Sequence, residues 1–133
     1  MLFVDTSVWS LALRRDRAAD EAPVAALRRA VADGQLLCTT GIVLQELLQG
    51  RGLRADTRAA IAERFAGLIH LHPRTEDHER AAEVFARCRA AGMQLGTIDA
   101  LIAALCIQQD VALLTADRDF ERAAEVVPLR LAG

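Results

Sequence analysis

The sequence predicts an α/β fold in which a parallel sheet of short strands is covered by helices on both faces. Short runs of apolar residues alternate along the chain with segments whose apolar residues recur at helical spacing. The runs lack the polar alternation of a sheet with one face in water, and strands buried on both faces are typical of parallel sheets. Ligands of such sheets bind beyond the carboxyl ends of the strands, so polar residues that directly follow a strand are candidates for a functional site.

The strand-like segments are short and apolar. The most strand-like segment is "VALLT" at 111–115, and "LFV" at the start of the chain is expected to form a buried strand. The segments "LLCT" and "LIHL" are expected to add two strands, and "VPLRL" is expected to form a final strand at the sheet edge. The predicted strands therefore cover residues 2–4, 36–39, 68–71, 111–115 and 127–131.

Helical segments separate these strands, and several carry signals for their ends. Pro23 suits a first helical turn, Gly34 and Gly92 suit helix ends, and we expect Thr75 to open one helix and Thr97 to cap another. The predicted helices cover Ser7 to about Arg17, 20–34, 41–50, 56–68, 75–92, 98–109 and 117–126. Because no linker-like segment or repeat divides the chain, we expect a single domain over residues 1–133.

Composition narrows the classes of function. The formal net charge is −2 and the sequence pI is about 5.9, which argues against a general nucleic-acid binder with a wide basic surface. A local basic patch or a metal ion can also supply the positive charge that binds nucleic acid, so nucleic acid is not excluded as a partner. All 16 basic residues are Arg, so mechanisms that need a catalytic or phosphate-gripping Lys are excluded. The lack of Tyr and an aromatic content of 4% argue against a base-stacking platform.

The cysteines and the N-terminus predict a cytoplasmic protein. Cys38, Cys88 and Cys106 are widely spaced with no C-x-x-C, a pattern that gives neither a disulfide framework nor a zinc site and suits a reducing compartment. The N-terminus lacks the basic region of a signal peptide, and Asp5 interrupts its apolar start. No apolar run approaches the length of a transmembrane helix, so no membrane association is expected.

Five acidic residues lie in apolar surroundings. Asp5 ends the first strand, Glu46 lies inside an apolar helix, Asp99 lies in a first helical turn, and Asp117 and Asp119 follow the strand at 111–115. Each has an ordinary explanation by itself, such as a helix cap, a helix-dipole contact or, for Glu46, a snorkelling side chain or an Arg partner. Together they favour a cluster at the carboxyl edge of the sheet. Clustered carboxylates need a neutralising cation, for which Mg²⁺ is the natural choice.

The other acidic residues and the histidines are expected to have ordinary roles. Nine acidic residues lie among Arg and Ala on predicted helix faces, where solvated side chains are the rule. They are Asp16, Asp20, Glu21, Asp56, Glu63, Glu76, Asp77, Glu79 and Glu83. His70, His72 and His78 are assigned surface or packing roles, since a zinc site would want closer Cys or more His.

Four motifs in order along the chain resemble those of the PIN-domain ribonucleases, and specifically of the VapC toxins of bacterial VapBC toxin–antitoxin modules. The motifs are "VDTSVW", "ELLQG", "IDALIAA" and "LLTADRDF", and together they span nearly the whole chain. Each motif is weak by itself, but their order and separations are specific. The resemblance implies a three-layer α/β/α sandwich around a parallel sheet of four or five strands.

The resemblance also implies an activity and a set of site residues. It implies Mg²⁺- or Mn²⁺-dependent cleavage of RNA by a toxin that is usually a homodimer and is inhibited by a cognate VapB-type antitoxin. The family's acidic quartet maps onto Asp5, Glu46, Asp99 and Asp117, with Asp119 as an auxiliary acid. Hydroxyl positions near the metal map onto Thr6, Ser7 and Thr115.

Our hypothesis from these assignments is in-line hydrolysis of an RNA phosphodiester. Asp5, Asp99 and Asp117 are the expected metal ligands, and Glu46 is expected to bind a second metal or position water. Arg14, Arg15, Arg17 and Arg118 are candidates for phosphate contacts, although solvated helix positions explain the first three as well.

Two alternatives stay open from the sequence. A nuclease of the same fold that acts on DNA, or in housekeeping RNA processing, would use the same acids. A non-catalytic interaction module would not need all four members of the quartet.

Overall fold

The computed structural model describes residues 1–13 and 21–133, and within these residues four strands and seven helices alternate along the chain. The strands are β1 (Leu2–Val4), β2 (Leu37–Thr39), β3 (Ile69–His70) and β4 (Ala112–Leu114). The helices are α1 (Thr6–Ala12), α2 (Ala22–Ala32), α3 (Gly41–Leu48), α4 (Ala55–Ala66), α5 (Thr75–Ala90), α6 (Thr97–Gln109) and α7 (Arg118–Ala124).

The four strands form one parallel sheet in the order β3-β2-β1-β4. In the central strand β1, Phe3 pairs with Cys38 of β2 on one side and with Leu113 of β4 on the other. Because the strands are parallel, their carboxyl ends meet at the same edge of the sheet. This arrangement confirms the predicted α/β fold and places Asp5, directly after β1, at the centre of that edge.

Apolar side chains fill the space on both faces of the sheet. Leu2 and Val4 of β1 pack with residues of α1 and α2, whereas Phe3 between them faces a larger core built from the later helices. Successive side chains of a strand point to opposite faces, so a strand covered on both sides must be apolar throughout. The fully apolar strands in the sequence are therefore explained by the three-layer arrangement.

The predicted edge strand at 127–131 is wrong as a full strand. Leu129 donates a short backbone hydrogen bond of 2.7 Å to the carbonyl of Val127, which holds this segment in a local turn. Pro128 has no amide hydrogen for a sheet ladder. Only Leu131 forms a bridge, in parallel orientation with Leu113 of β4.

Helix starts differ from the sequence interpretation in small ways. Gly96, in an extended conformation, is the residue that precedes α6, so Thr97 is its first helical residue and not its cap. Within the described residues α1 ends at Ala12 with Leu13 as its C-cap, and positions 14–17 of its predicted span, with Arg14, Arg15 and Arg17, lie outside the described residues. None of the helices in the described ranges is long and apolar enough to cross a membrane.

The three cysteines are free thiols buried in the core. Burial raises the pKa of the Cys38 thiol to about 11, so this group stays protonated at neutral pH.

Candidate active site

Asp5 is held in place by two hydroxyl groups at the centre of the carboxyl edge. It is only 5% exposed, and its Oδ2 atom accepts hydrogen bonds from Ser7 Oγ at 2.7 Å and from Thr115 Oγ1 at 3.0 Å. Ser7 belongs to the first turn of α1, and Thr115 directly follows β4. These hydrogen bonds satisfy a carboxylate that would otherwise be costly to bury.

The same two hydroxyls connect Asp5 to the loop that follows β4. Ser7 Oγ accepts the backbone N–H of Ala116 at 3.0 Å, and Thr115 Oγ1 accepts the backbone N–H of Asp117 at 3.0 Å. Each hydroxyl already donates its single hydrogen to Asp5, so the 3.4 Å contact between their oxygens adds no further hydrogen bond. The network fixes the start of α7 relative to the end of β1.

Glu46 reaches the site from α3 and is held by a third hydroxyl. Thr6 Oγ1 donates to Glu46 Oε1 at 3.0 Å, which connects the first residue of α1 to the middle of α3. The Glu46 side chain is half-buried, and its helix neighbours Val43 and Leu47 are buried in the core. Packing of α3 therefore directs this carboxylate inward, as its apolar context predicts.

Asp117 and Asp119 stand at the start of α7. Asp117 is the N-cap, and its Oδ1 accepts the backbone N–H of Asp119 at 2.9 Å. This hydrogen bond satisfies one of the free amides of the first helical turn. Asp119 also lies 3.8 Å from the guanidinium of Arg122, one turn later on the same helix. The side chain of Arg122 is 66% exposed and that of Asp119 is 43% exposed, so solvent screening makes the pair weak.

Asp99 shows the electrostatic character of the site most clearly. The pKa of its carboxyl is raised from an ordinary 3.8 to about 6, first by burial and then by the negative charge of four neighbouring carboxylates. In decreasing order of effect, these neighbours are Asp5, Asp117, Glu46 and Asp119. All five acids singled out from the sequence therefore lie within one electrostatic cluster.

Three of these carboxylates are arranged closely enough to share a cation. Asp99, Asp117 and Asp119 each offer an oxygen atom within 4.8 Å of the other two. A donor set made of carboxylate oxygens suits a hard divalent cation such as Mg²⁺ or Mn²⁺ and not a soft metal. A divalent cation would also relieve the repulsion that raises the pKa of Asp99, so the residues present fit such an ion.

The structure brings together all eight residues that the sequence singled out for the site. The hydroxyls of Thr6, Ser7 and Thr115 each bond to one of the acids. The compact set of carboxylates includes Asp119, which the sequence interpretation treated as auxiliary, whereas Asp5 uses its Oδ2 atom for the two hydroxyl contacts. Which of these carboxylates bind a metal stays a prediction.

Sequence reasoning missed one contact at the site and one buried carboxylate elsewhere in the fold. Arg122 was not singled out, although its spacing of three residues from Asp119 on a helix is a usable signal for a contact. Asp77 was expected to be solvated but is only 5% exposed, and its Oδ2 accepts the backbone N–H of Arg74 at 2.8 Å at the start of α5. The expectation for Asp77 was therefore wrong. Arg118 is exposed at the first position of α7.

Comparison with known proteins identifies the class to which this fold and acidic edge belong. A profile of the PIN domain matches residues 2–126, and the chain belongs to the PIN domain family. PIN domains are nuclease domains that generally use divalent metal ions, so the family and the acidic cluster agree.

Solved structures with the same fold come from toxin–antitoxin proteins. VapC20 of Mycobacterium tuberculosis, described as a toxin that cleaves the sarcin–ricin loop, is 24% identical with a TM-score of 0.73, over 98% of this chain and 99% of that chain. VapBC2 from Rickettsia felis, bound to a promoter DNA fragment, is 19% identical with a TM-score of 0.77, over 99% and 98%. VapBC-1 from nontypeable Haemophilus influenzae is 17% identical with a TM-score of 0.77, over 99% and 97%. At these identities the likeness establishes a shared fold.

Proposed function

We propose that the chain is a metal-dependent endoribonuclease and the toxin component of a VapBC-type module. The observation that carries this proposal is the meeting of five carboxylates at the carboxyl edge of a PIN domain, with the pKa of Asp99 raised to about 6. Such a cluster destabilises the fold unless a cation binds to it, so a purely structural role is a poor explanation. The sequence likeness to VapC motifs and the structural likeness to VapC20 support RNA as the substrate.

Asp99, Asp117 and Asp119 are the residues that would hold the ion, with Mg²⁺ expected and Mn²⁺ as a substitute. When bound, the ion supplies activation of a water molecule and neutralises charge on the scissile phosphate. Because the chain has a net charge of −2 and no Lys, its own residues supply little general attraction for RNA. A bound cation therefore explains how an acidic protein binds a polyanion.

The remaining acids, Asp5 and Glu46, act in proton transfer in this proposal. Ser7 and Thr115 orient Asp5, and Thr6 orients Glu46, so that both carboxylates face the cluster in a defined direction. A carboxylate held in this way accepts a proton from the attacking water molecule as the water oxygen forms a bond to phosphorus. The phosphorus–oxygen bond to the leaving ribose breaks, and the leaving oxygen is protonated from solvent.

We further propose that the chain acts in the cytoplasm as a homodimer that is inhibited by a cognate VapB-type antitoxin. The VapBC complexes with the same fold support an antitoxin partner. The acidic cluster offers a natural binding site for an Arg side chain of an inhibitory segment. The antitoxin is tested by complex formation with the product of a short adjacent gene. The homodimer is tested by the mass of the free chain in solution.

The most informative experiment maps the 5′ ends of cellular RNA after expression of the chain and of its Asp5→Asn variant. We expect new 5′ ends at defined sites with the natural chain and none with the variant. Asp56→Asn is the matched control, because the Asp56 side chain on α4 is 71% exposed and its charge is not among those that raise the pKa of Asp99. Equal 5′ ends from the natural chain and from Asp5→Asn would contradict the proposal.

The purified chain separates the alternatives. Cleavage of RNA but not of DNA of the same sequence, with Mg²⁺ and not with excess chelator, is the expected result. Cleavage of DNA would favour a DNA nuclease. No cleavage of either polymer, together with a stable protein partner, would favour a non-catalytic interaction module.

A further inference from the structure

A cavity of about 450 Å³ lies away from the acidic cluster, between the end of β3, the start of α5 and the end of α6. We call it the histidine cavity, because His70 and His72 line it together with Gln108 and Gln109. None of the acids in the catalytic cluster lines it. The residues that line this cavity differ in chemistry from the carboxylates of the acidic site, so we expect the cavity to bind a different kind of ligand.

The two histidines present a pair of nearly parallel aromatic rings, one of which is anchored. Their rings are nearly parallel, with an interplanar angle of 21° and centroids 6.5 Å apart. His70 is anchored by a 2.7 Å hydrogen bond between its Nε2 atom and the carbonyl oxygen of Phe65. His72 is exposed, so one imidazole face is open to a stacking partner. Imidazole is one of the side chains on which unpaired RNA bases stack.

Two amide side chains lie beside this surface. Gln108 and Gln109 are exposed at the end of α6, and neither makes a side-chain hydrogen bond with another described residue. An amide offers both a donor and an acceptor, the combination that matches the edge of a nucleobase. Leu71 and Leu105 add apolar surface to the same cavity.

The charges of the cavity favour a base over an isolated phosphate. Arg74 contributes one positive charge, but Glu76 and the buried Asp77 also line the cavity. Two carboxylates beside one guanidinium repel a free phosphate group. A nucleobase is uncharged, and its exocyclic amines are donors for carboxylate oxygens.

The position of the cavity suits a second contact with the same RNA. Strand β3 is two strands from β1, so its carboxyl end is about 10 Å from that of β1 at the usual strand spacing. Gln109 is ten residues after Asp99 on α6, a rise of about 15 Å along the helix. A few linked nucleotides span such a distance.

We propose that the histidine cavity binds an unpaired nucleobase of the RNA substrate, stacked on His72 with its edge toward Gln108 and Gln109. This proposal rests on the proposed function, because it takes RNA as the substrate. It revises the expectation that these histidines have only surface or packing roles. It would give a chain with few aromatic residues a surface on which an unpaired base stacks.

Binding of short fluorescein-labelled RNAs in Mg²⁺ to the full chain carrying Asp5→Asn, in which no cleavage is expected, tests the proposal, and the variants below are made in this background. The probes are single-stranded homopolymers of A, C and U, and a duplex of equal length. We expect His72→Ala to weaken binding of at least one single strand by about fivefold or more and to leave duplex binding unchanged. His72→Phe retains a stacking surface and is expected to restore binding. Gln109→Ala is expected to change the order of affinities among the homopolymers.

His78→Ala is the matched control, because His78 is an exposed histidine on α5 that does not line the cavity. Unchanged single-strand binding in His72→Ala would overturn the proposal. An equal loss for single strands and duplex would also overturn it, since that result indicates a charge effect without base stacking. Weaker binding of a protein partner with unchanged RNA binding would assign the cavity to that partner instead.

Cleavage measured separately distinguishes the two proposals. If the chain binds single-stranded RNA through His72 but does not cleave it with Mg²⁺, the base-binding cavity stands and the nuclease proposal fails. If it cleaves RNA and His72→Ala binds and cleaves as the natural chain does, the nuclease proposal stands and the cavity proposal fails.

Discussion

Asp5 and Asp77 are equally buried, each 5% exposed, but they lie in opposite electrostatic surroundings. Asp77 sits in the first turn of α5 and accepts the backbone N–H of Arg74, near the positive end of a helix of 16 residues. Asp5 sits beyond a strand and faces other carboxylates, one of which, Asp99, has a pKa raised to about 6 in part by the charge of Asp5. Burial is the same in the two regions, but Asp5 shares its region with four other acids, whereas Asp77 accepts a hydrogen bond at the positive end of a helix.

The difference shows what distinguishes a site from a structural carboxylate in this molecule. The charge of Asp77 is compensated by groups of its own helix, so nothing outside the chain is needed. The hydroxyls that bond to Asp5 fix its orientation, but they do not compensate the charge of the cluster. That compensation has to come from a cation, which connects the geometry to the proposed chemistry.

The largest expected effect is on Mg²⁺-dependent cleavage and stability, in which Asp5 and Asp77 should differ. Asp5→Asn should reduce Mg²⁺-dependent RNA cleavage by about 100-fold or more, because it removes a charge and disturbs the orientation of the cluster. It should also reduce the rise in melting temperature that Mg²⁺ produces, whereas Asp77→Asn should keep that rise. Cleavage rates and thermal unfolding with and without Mg²⁺ measure both effects. An equal loss of the Mg²⁺-dependent rise in both variants would mean that the two aspartates do not differ in this respect.

The pH dependence of stability is the next largest expected effect. The folded-state pKa of Asp99, about 6, is above its ordinary value of 3.8, so folding favours the protonated form. Ionised Asp99 therefore destabilises the metal-free protein, with no effect below about pH 4 and the full effect above about pH 6. The resulting decrease in the free energy of unfolding is at most about 3 kcal/mol, because the pKa of Asp99 is raised by about two units.

Asp99→Asn isolates this contribution. In metal-free buffer, the difference in unfolding free energy between the variant and the natural chain should grow as the pH rises from 4 to 7, in favour of the variant. Excess Mg²⁺ should remove most of this difference, since the cation compensates the ionised carboxylate. A difference that does not change with pH would contradict the raised pKa of Asp99.

The fold and the acid set were predictable because their signals are local. Apolar strands such as 2–4 and 111–115 are visible in short windows, and Glu46 stands out because its helix neighbours are apolar. The edge segment at 127–131 has the same apolar character, but Pro128 and the turn at Leu129 prevent it from pairing as a full strand. Local hydrophobicity correctly predicted the burial of Val127 and Leu129, but not the exposure of Leu131 or the lack of full strand pairing.

The parts of the site that could not be predicted depend on contacts between distant segments. Asp77 lies among charged residues in the sequence, and its burial arises where α5 packs along α6. The hydroxyl of Thr115 bonds to Asp5 across 110 positions, so no short window contains both partners. Family resemblance suggested that Thr115 is near the metal, but only the structure identifies the atoms that it bonds.

The hydroxyl network should have a smaller effect than Asp5 itself. Thr115→Val keeps the shape of the side chain but removes the donor to Asp5 and the acceptor for the Asp117 amide. We expect kcat/KM for RNA cleavage to fall about tenfold, the lower end for groups that orient metal ligands. Thr115→Ser retains the hydroxyl and should restore most of the activity. A similar loss in Thr115→Ser would indicate that the methyl group, and not the hydroxyl, matters at this position.

The smallest expected effect returns to Asp77 and concerns stability alone. Asp77→Ala removes the acceptor for the Arg74 amide at the start of α5 and should lower the free energy of unfolding by about 1 kcal/mol, as loss of a helix cap does. Asp77→Asn keeps an oxygen acceptor and should lose less. Because the compensation of Asp77 is local, Mg²⁺ should not change the difference between the two variants, in contrast to the behaviour expected of Asp99. Denaturant unfolding with and without Mg²⁺ measures this difference, and a Mg²⁺-dependent loss in Asp77→Ala would show that the start of α5 is coupled to the acidic edge.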